Sequence, residues 1–231
     1  MKIGIIGAMD MEVDSLKADA KISRVVRKAN MDFYEGTLMG KETVIVRCGI
    51  GKVNAAVCAQ ILADDFKVTH IVNTGVAGSL DARLEIGDVV VSTEAMEHDV
   101  DSTGLGFQRG EHPYSGMINF PASEELREKA VRAVKIAAPD VHVLEGRICS
   151  GDQFISSQKK REDLIEAFGG CCAEMEGGAI AHACYLNGIP FVVIRAMSDK
   201  SDDSGHVSFE EFAKVAAARS AAIVKSMLEH W

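Results

Sequence analysis

No basic excess marks this chain: 25 Lys and Arg stand against 34 Asp and Glu, a formal net charge of −9 over 231 residues. Binding a phosphate backbone as the main task needs a basic face, so nucleic acid is excluded as the principal partner. No stretch approaches the ~20 apolar residues of a membrane helix, so no membrane role is expected. The apolar run Ile3 to Ala8 is too short for a signal peptide, and acids follow it at once. The six cysteines (Cys48, Cys58, Cys149, Cys171, Cys172, Cys184) form no C-x-x-C pair, and there is no H-E-x-x-H. That spacing predicts reduced thiols in a cytoplasmic protein and no metal centre. A G-x-S-x-G elbow is absent, which argues against an α/β-hydrolase. No Pro/Ser-rich linker or internal repeat divides the chain, so residues 1–231 are expected to form one domain.

What is present is apolar periodicity. With 47% hydrophobic residues the chain can bury a sizeable core. Lys2 to Ala8 reads as a buried strand and Asp10 to Lys21 as a helix. Asp32 to Leu38 and Thr43 to Cys48 read as a hairpin around Met39-Gly40-Lys41-Glu42. A helix over Val53 to Phe66, a strand over Thr69 to Asn73 and another over Asp88 to Ser92 follow. Ala122 to Ala138 reads as a helix capped by Ser123, His142 to Cys149 as a strand, and Gln158 to Phe168 as a helix. A helical pattern from Gly178 to Cys184 precedes the strand Phe191 to Ala196. A long helix spans Phe209 to Leu228, with Ser208 and Glu211 at capping-box spacing. Strands alternating with helices predict an α/β domain with a largely parallel sheet. Residues 99 to 121 break the alternation with glycines and prolines. Yet they carry Leu105, Phe107, Tyr114, Met117 and Ile118, as expected of a loop that covers a ligand or a second subunit.

Several strand ends carry chemistry-bearing residues. Glu12 falls in the first turn after strand one, where the helix dipole stabilises an anion; it reads either as a surface charge or as a general base. Gly49-Ile50-Gly51-Lys52-Val53-Asn54 misses the dinucleotide fingerprint because Asn54 replaces the third small residue. It also fails as a P-loop, so a tight strand–helix turn remains. Gly75 and Gly78 serve a turn or a close backbone approach. Phe154, just past a strand, reads as a stacking platform or as core. Glu174 and Glu176 share a face if extended, and suit either a polar ligand or a solvated turn. Asp199 ends an apolar strand and reads as a cap or a catalytic acid.

Taken in order, Ile5-Ile6-Gly7-Ala8-Met9 with Glu12, Gly49-Ile50-Gly51-Lys52, Asn73-Thr74-Gly75, Ser150-Gly151-Asp152, Glu174-Met175-Glu176 and Arg195-Ala196-Met197-Ser198-Asp199 resemble the 5′-methylthioadenosine/S-adenosylhomocysteine nucleosidases. These are the hydrolase branch of the purine nucleoside phosphorylase superfamily, and the resemblance covers nearly the whole chain. It implies a three-layer α/β fold, nucleoside phosphorylase-like, with a central twisted mixed sheet flanked by helices. It implies a homodimer acting on a small nucleoside without cofactor or metal. The implied catalytic pair is Glu12, which activates water, and Asp199, which protonates adenine at N7. Glu176 is implied to hold the ribose hydroxyls beside Met175, with Phe154 stacked on adenine and the backbone of Phe154 and Ile155 reading its edge. Arg195 and Ser198 are implied to orient the acids, and Phe209 to border the ribose and thioalkyl tail. Ala8, Met9, Ile50 and Val76 complete the implied binding set. Val76 departs from the family, which often has Ser there. Three competing readings are a phosphorolytic relative, an aminodeoxyfutalosine nucleosidase, and a nucleotide-binding module without catalysis.

Overall fold

The backbone of one central strand, His70–Ser79, organises the molecule, because three other strands pair with it. The computed structural model describes all residues, 1–231. In chain order the elements are β1 (Lys2–Gly7), α1 (Asp10–Asp19), β2 (Lys21–Lys28), β3 (Met31–Leu38), β4 (Lys41–Arg47), α2 (Lys52–Asp64), β5 (His70–Ser79), β6 (Val89–Glu97), β7 (Asn119–Pro121), α3 (Glu124–Ala137), β8 (Val143–Ser150), α4 (Gln158–Phe168), β9 (Cys172–Glu174), α5 (Gly177–Asn187), β10 (Phe191–Asp199) and α6 (Gly205–Glu229).

The sheet runs β10-β6-β8-β9-β5-β1-β4-β3-β2, and β10 also pairs with β5. Strands β10, β6, β8, β9 and β5 therefore close on themselves, while β1, β4, β3 and β2 extend outward as an open sheet. The largely parallel sheet expected from the alternation is a mixed one. β1–β4, β1–β5, β5–β10, β6–β8 and β8–β9 are parallel, and β2–β3, β3–β4, β5–β9, β6–β7 and β6–β10 antiparallel. Alternation of strands and helices does not report the sense of short connections, and two of the antiparallel pairs are hairpins joined without any helix.

Helices cover both faces. Against one face pack α2 and α5, whose Ala55, Cys58, Ile61, Leu62, Ile180 and Cys184 join Ile6, Val44, Val46 and Val193 of the sheet. On the other, α1, α3 and α6 bring Leu16, Val134, Ala217, Ile223 and Met227 against Ile3, Ile5, Val72 and Ile194. Helix α6 buries Ala213, Ala216, Ala217, Ser220, Ala221, Val224 and Leu228, the three- and four-residue spacing of one apolar stripe.

Some boundaries differ from expectation. The final helix begins at Gly205 behind Ser204, so Ser208 lies inside the first turn and its amide bonds back to Ser204 rather than forming a capping box with Glu211. Strand β5 runs through Gly75 to Ser79 instead of ending at Asn73, because its glycines serve close packing. Strand β2 is unread in the sequence: Lys21–Lys28 is exposed along nearly its whole length, so no apolar alternation announces it. Of residues 99–121, read as loop, 119–121 form β7 against β6, and 99–118 are mostly irregular. Their apolar Leu105 and Tyr114 are 72% and 90% exposed, so within one chain they cover nothing.

Candidate active site

The carboxyl ends of β1, β9 and β10, with the last residues of β5, border one cavity of about 390 Å³. Ligands of open α/β sheets bind in such crevices. Its wall is built from Ala8, Met9, Glu12, Ile50, Val76, Ala77, Gly78, Phe154, Ala173, Glu174, Met175, Glu176, Ser198, Asp199, His206 and Phe209. Eleven of the thirteen sequence-predicted site residues are among them. The other two are Arg195, buried behind the wall, and Ile155, whose side chain packs with Leu80, Met96 and Leu164 in a small third core.

Glu12 is 3% exposed and is held entirely by backbone. Its Oε2 accepts from the Ala8 and Met9 amides at 2.7 and 2.9 Å, reaching back over the start of α1. Its Oε1 accepts from the Val76 amide of β5 at 3.0 Å. Burial raises its proton affinity above that of an ordinary carboxylate, against the pull of Arg195 and the three N–H groups. Val76 thus supplies its amide to Glu12 whatever side chain it carries.

Asp199 sits where β10 slips by one residue against β5: Met197 faces Ala77, and Asp199 faces Gly78. Such a bulge re-aims a side chain at a strand end. Asp199 Oδ1 accepts from the Ser201 amide at 2.8 Å and Oδ2 from the Ser198 hydroxyl at 2.9 Å. Burial raises its pKa, and no cation is near enough to reverse that. Strand β5 holds both acids, since Val76 binds Glu12 and Gly78 opposes Asp199. Those anchor points are two residues, about 6.7 Å, apart on one face of the strand.

Arg195 is the one cation in this layer, and it is 1% exposed. Its guanidinium grips Glu174 through Nε at 3.1 Å and through a shorter contact from Nη2, which also donates to Asn73 Oδ1 at 2.7 Å. Glu174 further accepts from the Gly177 and Glu176 amides and from Ser150 Oγ. Burial opposes its charge most, but Arg195, Ser150 and the Gly177 amide together outweigh burial and hold its pKa below the usual range. Glu176, at the start of α5, receives less: Gly51 N–H at 3.0 Å and Arg195 Nη2 at 3.6 Å. Burial first, then the charge of Glu174, push its carboxyl up to about 8. Gly51 reaches it only because its φ of +99° lies in a region side chains rarely adopt.

At the open end Phe154 and Phe209 meet edge to face, ring centres 5.6 Å apart, beside His206. Glu174 was read in the sequence as one of an undivided pair of acids, and the structure separates it as the counter-ion of Arg195. Asn73 and His206 were not singled out. A signal for the Asn73–Arg195–Glu174 network did exist: polar residues inside apolar strands must find partners when buried.

Residues 2–229 match the family model described as the phosphorylase superfamily. A curated 5′-methylthioadenosine/S-adenosylhomocysteine nucleosidase from Exiguobacterium sp. is 43% identical over 98% of this chain and 97% of its own length. The chain belongs to this nucleosidase family. Among solved structures, the nucleosidase from Neisseria meningitidis in complex with methylthio-immucillin-A superposes with a TM-score of 0.95. It is 38% identical, and the match covers 100% of this chain and 99% of that one. Futalosine hydrolase of Helicobacter pylori gives 0.94 at 32% identity, covering 100% and 98%. The nucleosidase family sits within a superfamily named for phosphorolysis, and the cavity bears on that difference: its wall contains no Lys or Arg.

Proposed function

We propose that residues 1–231 act as one nucleosidase domain that hydrolyses the N-glycosidic bond of 5′-methylthioadenosine and S-adenosylhomocysteine, releasing adenine. The observation that carries this is an acid-lined cavity without an exposed cation. Phosphorolysis needs amides and positive groups to hold a dianion. Here Glu12 already accepts from the three amides at that strand end and would repel phosphate. Water is the nucleophile that fits.

The bond breaks through an oxocarbenium-like sugar and an electron-rich purine leaving group. Asp199, with its raised pKa, suits protonation of adenine N7, and Ser198 and Ser201 fix its two oxygens. Glu12 suits the removal of a proton from water, since a base works best when its pKa is raised toward the working pH. Glu176 is free of the tight grip that holds Glu174, so its carboxyl can take the ribose hydroxyls, with Met175 beside the sugar. Phe154 offers a face for the purine, the 154–155 backbone its edge, and Phe209 a border for the thioalkyl tail. Ala8, Met9, Ile50 and Val76 complete the wall, and Arg195 acts through the carboxylates it orients. The exposed Val53, Val57, Tyr185 and Leu186 on α2 and α5 support a homodimer, and six buried free thiols support a cytoplasmic enzyme.

Incubation with methylthioadenosine in phosphate-free buffer, followed by chromatography, tests the reading: free adenine and the thioribose are expected at full rate. Strict dependence on added phosphate would refute hydrolysis. A second reading retains the same chemistry with another 5′ substituent, and the likeness to the H. pylori futalosine hydrolase favours it. Comparing kcat/KM for methylthioadenosine and aminodeoxyfutalosine separates the two.

A further inference from the structure

Outside the cavity wall, three metal-binding side chains converge where β6 ends, at the mid-point of α5 and in the loop before β7. Glu97, His112 and His182 bring one ligand atom each within 4.8 Å of the others. We propose that they form a binding site for a divalent transition-metal ion of the imidazole-preferring class, with Zn²⁺ the best match.

Two imidazoles and one carboxylate are a donor set that zinc takes with water in the fourth position. The three ligand atoms already face one another. His182 Nδ1 lies 3.2 Å and His112 Nε2 3.8 Å from the same oxygen, Glu97 Oε1. The other oxygen, Oε2, takes Lys52 Nζ at 3.0 Å, so a metal ligated by Oε1 leaves that pair intact. His112 Nε2 is buried and has no hydrogen-bond partner, although nearly all buried polar atoms find one. Lys52 also pairs with Asp99 at 2.6 Å, so this corner holds two carboxylates and one ammonium, a net charge favourable to a cation.

Bonds of about 2.0–2.1 Å place tetrahedral nitrogen ligands roughly 3.3 Å apart, so the three atoms must draw together slightly. His112 lies in the loop before β7, tied by an isolated bridge to Met117, and can follow without breaking a sheet ladder. The walls are apolar: Phe120 stacks on His182 with ring centres 4.4 Å apart. Glu97 and His182 also line a depression with Lys52, Asp152, Val53, Val57 and Leu186, so in the proposed homodimer the site lies at the subunit contact. A bound ion would tie the 98–118 loop to α5. His182 lies six residues, about 9 Å of helix, from Glu176, so the effect falls on loop order and stability rather than on the chemistry.

Equilibrium dialysis and calorimetry of the chelator-treated full chain with Zn²⁺ test this, with Co²⁺ as a spectroscopic probe. Expected are one ion per chain, a visible Co²⁺ spectrum of tetrahedral intensity displaced by Zn²⁺ but not by Ca²⁺, and a thermal midpoint that rises with Zn²⁺. His112→Gln should weaken binding by at least the roughly 10–100-fold that loss of a mere outer-shell partner costs, with the Co²⁺ spectrum lost. Absence of saturable binding by the parent protein overturns the proposal on its own, whether or not the variant folds. Unchanged stoichiometry and spectrum in a folded His112→Gln protein overturn it too.

Discussion

A single methyl group at Gly75 should disable both the site and part of the fold. Gly75 lies in β5 opposite Arg195 of β10. A Cβ built there would meet Arg195 Nη1 at 2.5 Å, Glu12 Cδ at 2.9 Å and Glu12 Oε1 closer still. Ordinary contact begins near 3.4 Å, so the guanidinium must retreat by 3.4 − 2.5 = 0.9 Å. Neither neighbour is a free side-chain end. Three backbone amides fix the Glu12 oxygens, and Glu174 and Asn73 fix the guanidinium. Overpacking costs about 1–3 kcal/mol. Breaking the Val76 amide bond to a charged acceptor adds about 1.5–3 kcal/mol. A loss of roughly 3 kcal/mol lowers the thermal midpoint of a chain this size by about 6–12 °C. A misplacement near 1 Å costs on the order of 10²-fold in rate. Calorimetry and kcat/KM for methylthioadenosine measure the two effects on Gly75→Ala. Gly104→Ala is the control, because nothing lies within 4 Å of a Cβ there. Should Gly75→Ala match the parent in both midpoint and rate, the close approach of Glu12 and Arg195 to β5 is wrong.

Three further substitutions probe the acids. In Glu12→Gln an amide cannot accept from all three N–H groups; kcat should fall by about 10²–10⁴ while a stable substrate analogue still binds, and retained kcat would remove Glu12 as the base. Asp199→Asn should lose a similar factor on methylthioadenosine but far less on a riboside with an acidic aryl leaving group, which needs no protonation; equal losses would argue against an acid role. For Glu176, a folded-state pKa of about 8 against 4.5 means that the native chain keeps a proton the unfolded chain has released. Stability contributed by that proton is complete below pH 4.5 and falls as pH rises toward 8; Glu176→Gln should flatten the decline of thermal midpoint across that window, and an unchanged slope would contradict the raised pKa.

Legibility from sequence followed burial. Strands β1, β5 and β10 are buried throughout or nearly so, and their apolar runs announced them. Strand β2 is exposed and depends on β3 for its pairing, so no local pattern betrayed it. The site was readable as residues at strand ends: Glu12, Glu176 and Asp199 each follow an apolar run. What could not be read was which partner each would receive. Glu174 and Glu176 are chemically identical and two residues apart, and only the fold brings Arg195 from 21 residues away to Glu174. The slip in register at Met197 and Asp199 was equally hidden, because a bulge depends on the neighbouring strand.

That division of partners governs the chemistry. Four acids, Glu12, Glu174, Glu176 and Asp199, border a cavity backed by one guanidinium. If all four were ionised, three negative charges would face one another with no cation to balance them, and burial makes such an excess costly. The structure resolves this unequally. Arg195 is given mainly to Glu174, which holds its charge. Glu12 receives amide dipoles in place of a cation, enough to support an anion while leaving its proton affinity raised. Asp199 receives no close cation either, Glu176 only Arg195 Nη2 at 3.6 Å, and burial raises the proton affinity of both. On the proposed reading, the proton needed by a departing purine would come from Asp199, whose affinity for it burial raises. Disconnecting Arg195 from Glu174, for example by Glu174→Gln, should therefore lower the pKa of Glu176 and shift the pH profile of binding toward acid, even though residue 174 itself has no role in the proton transfers. An unshifted profile in a folded variant would show that the two carboxyls titrate independently.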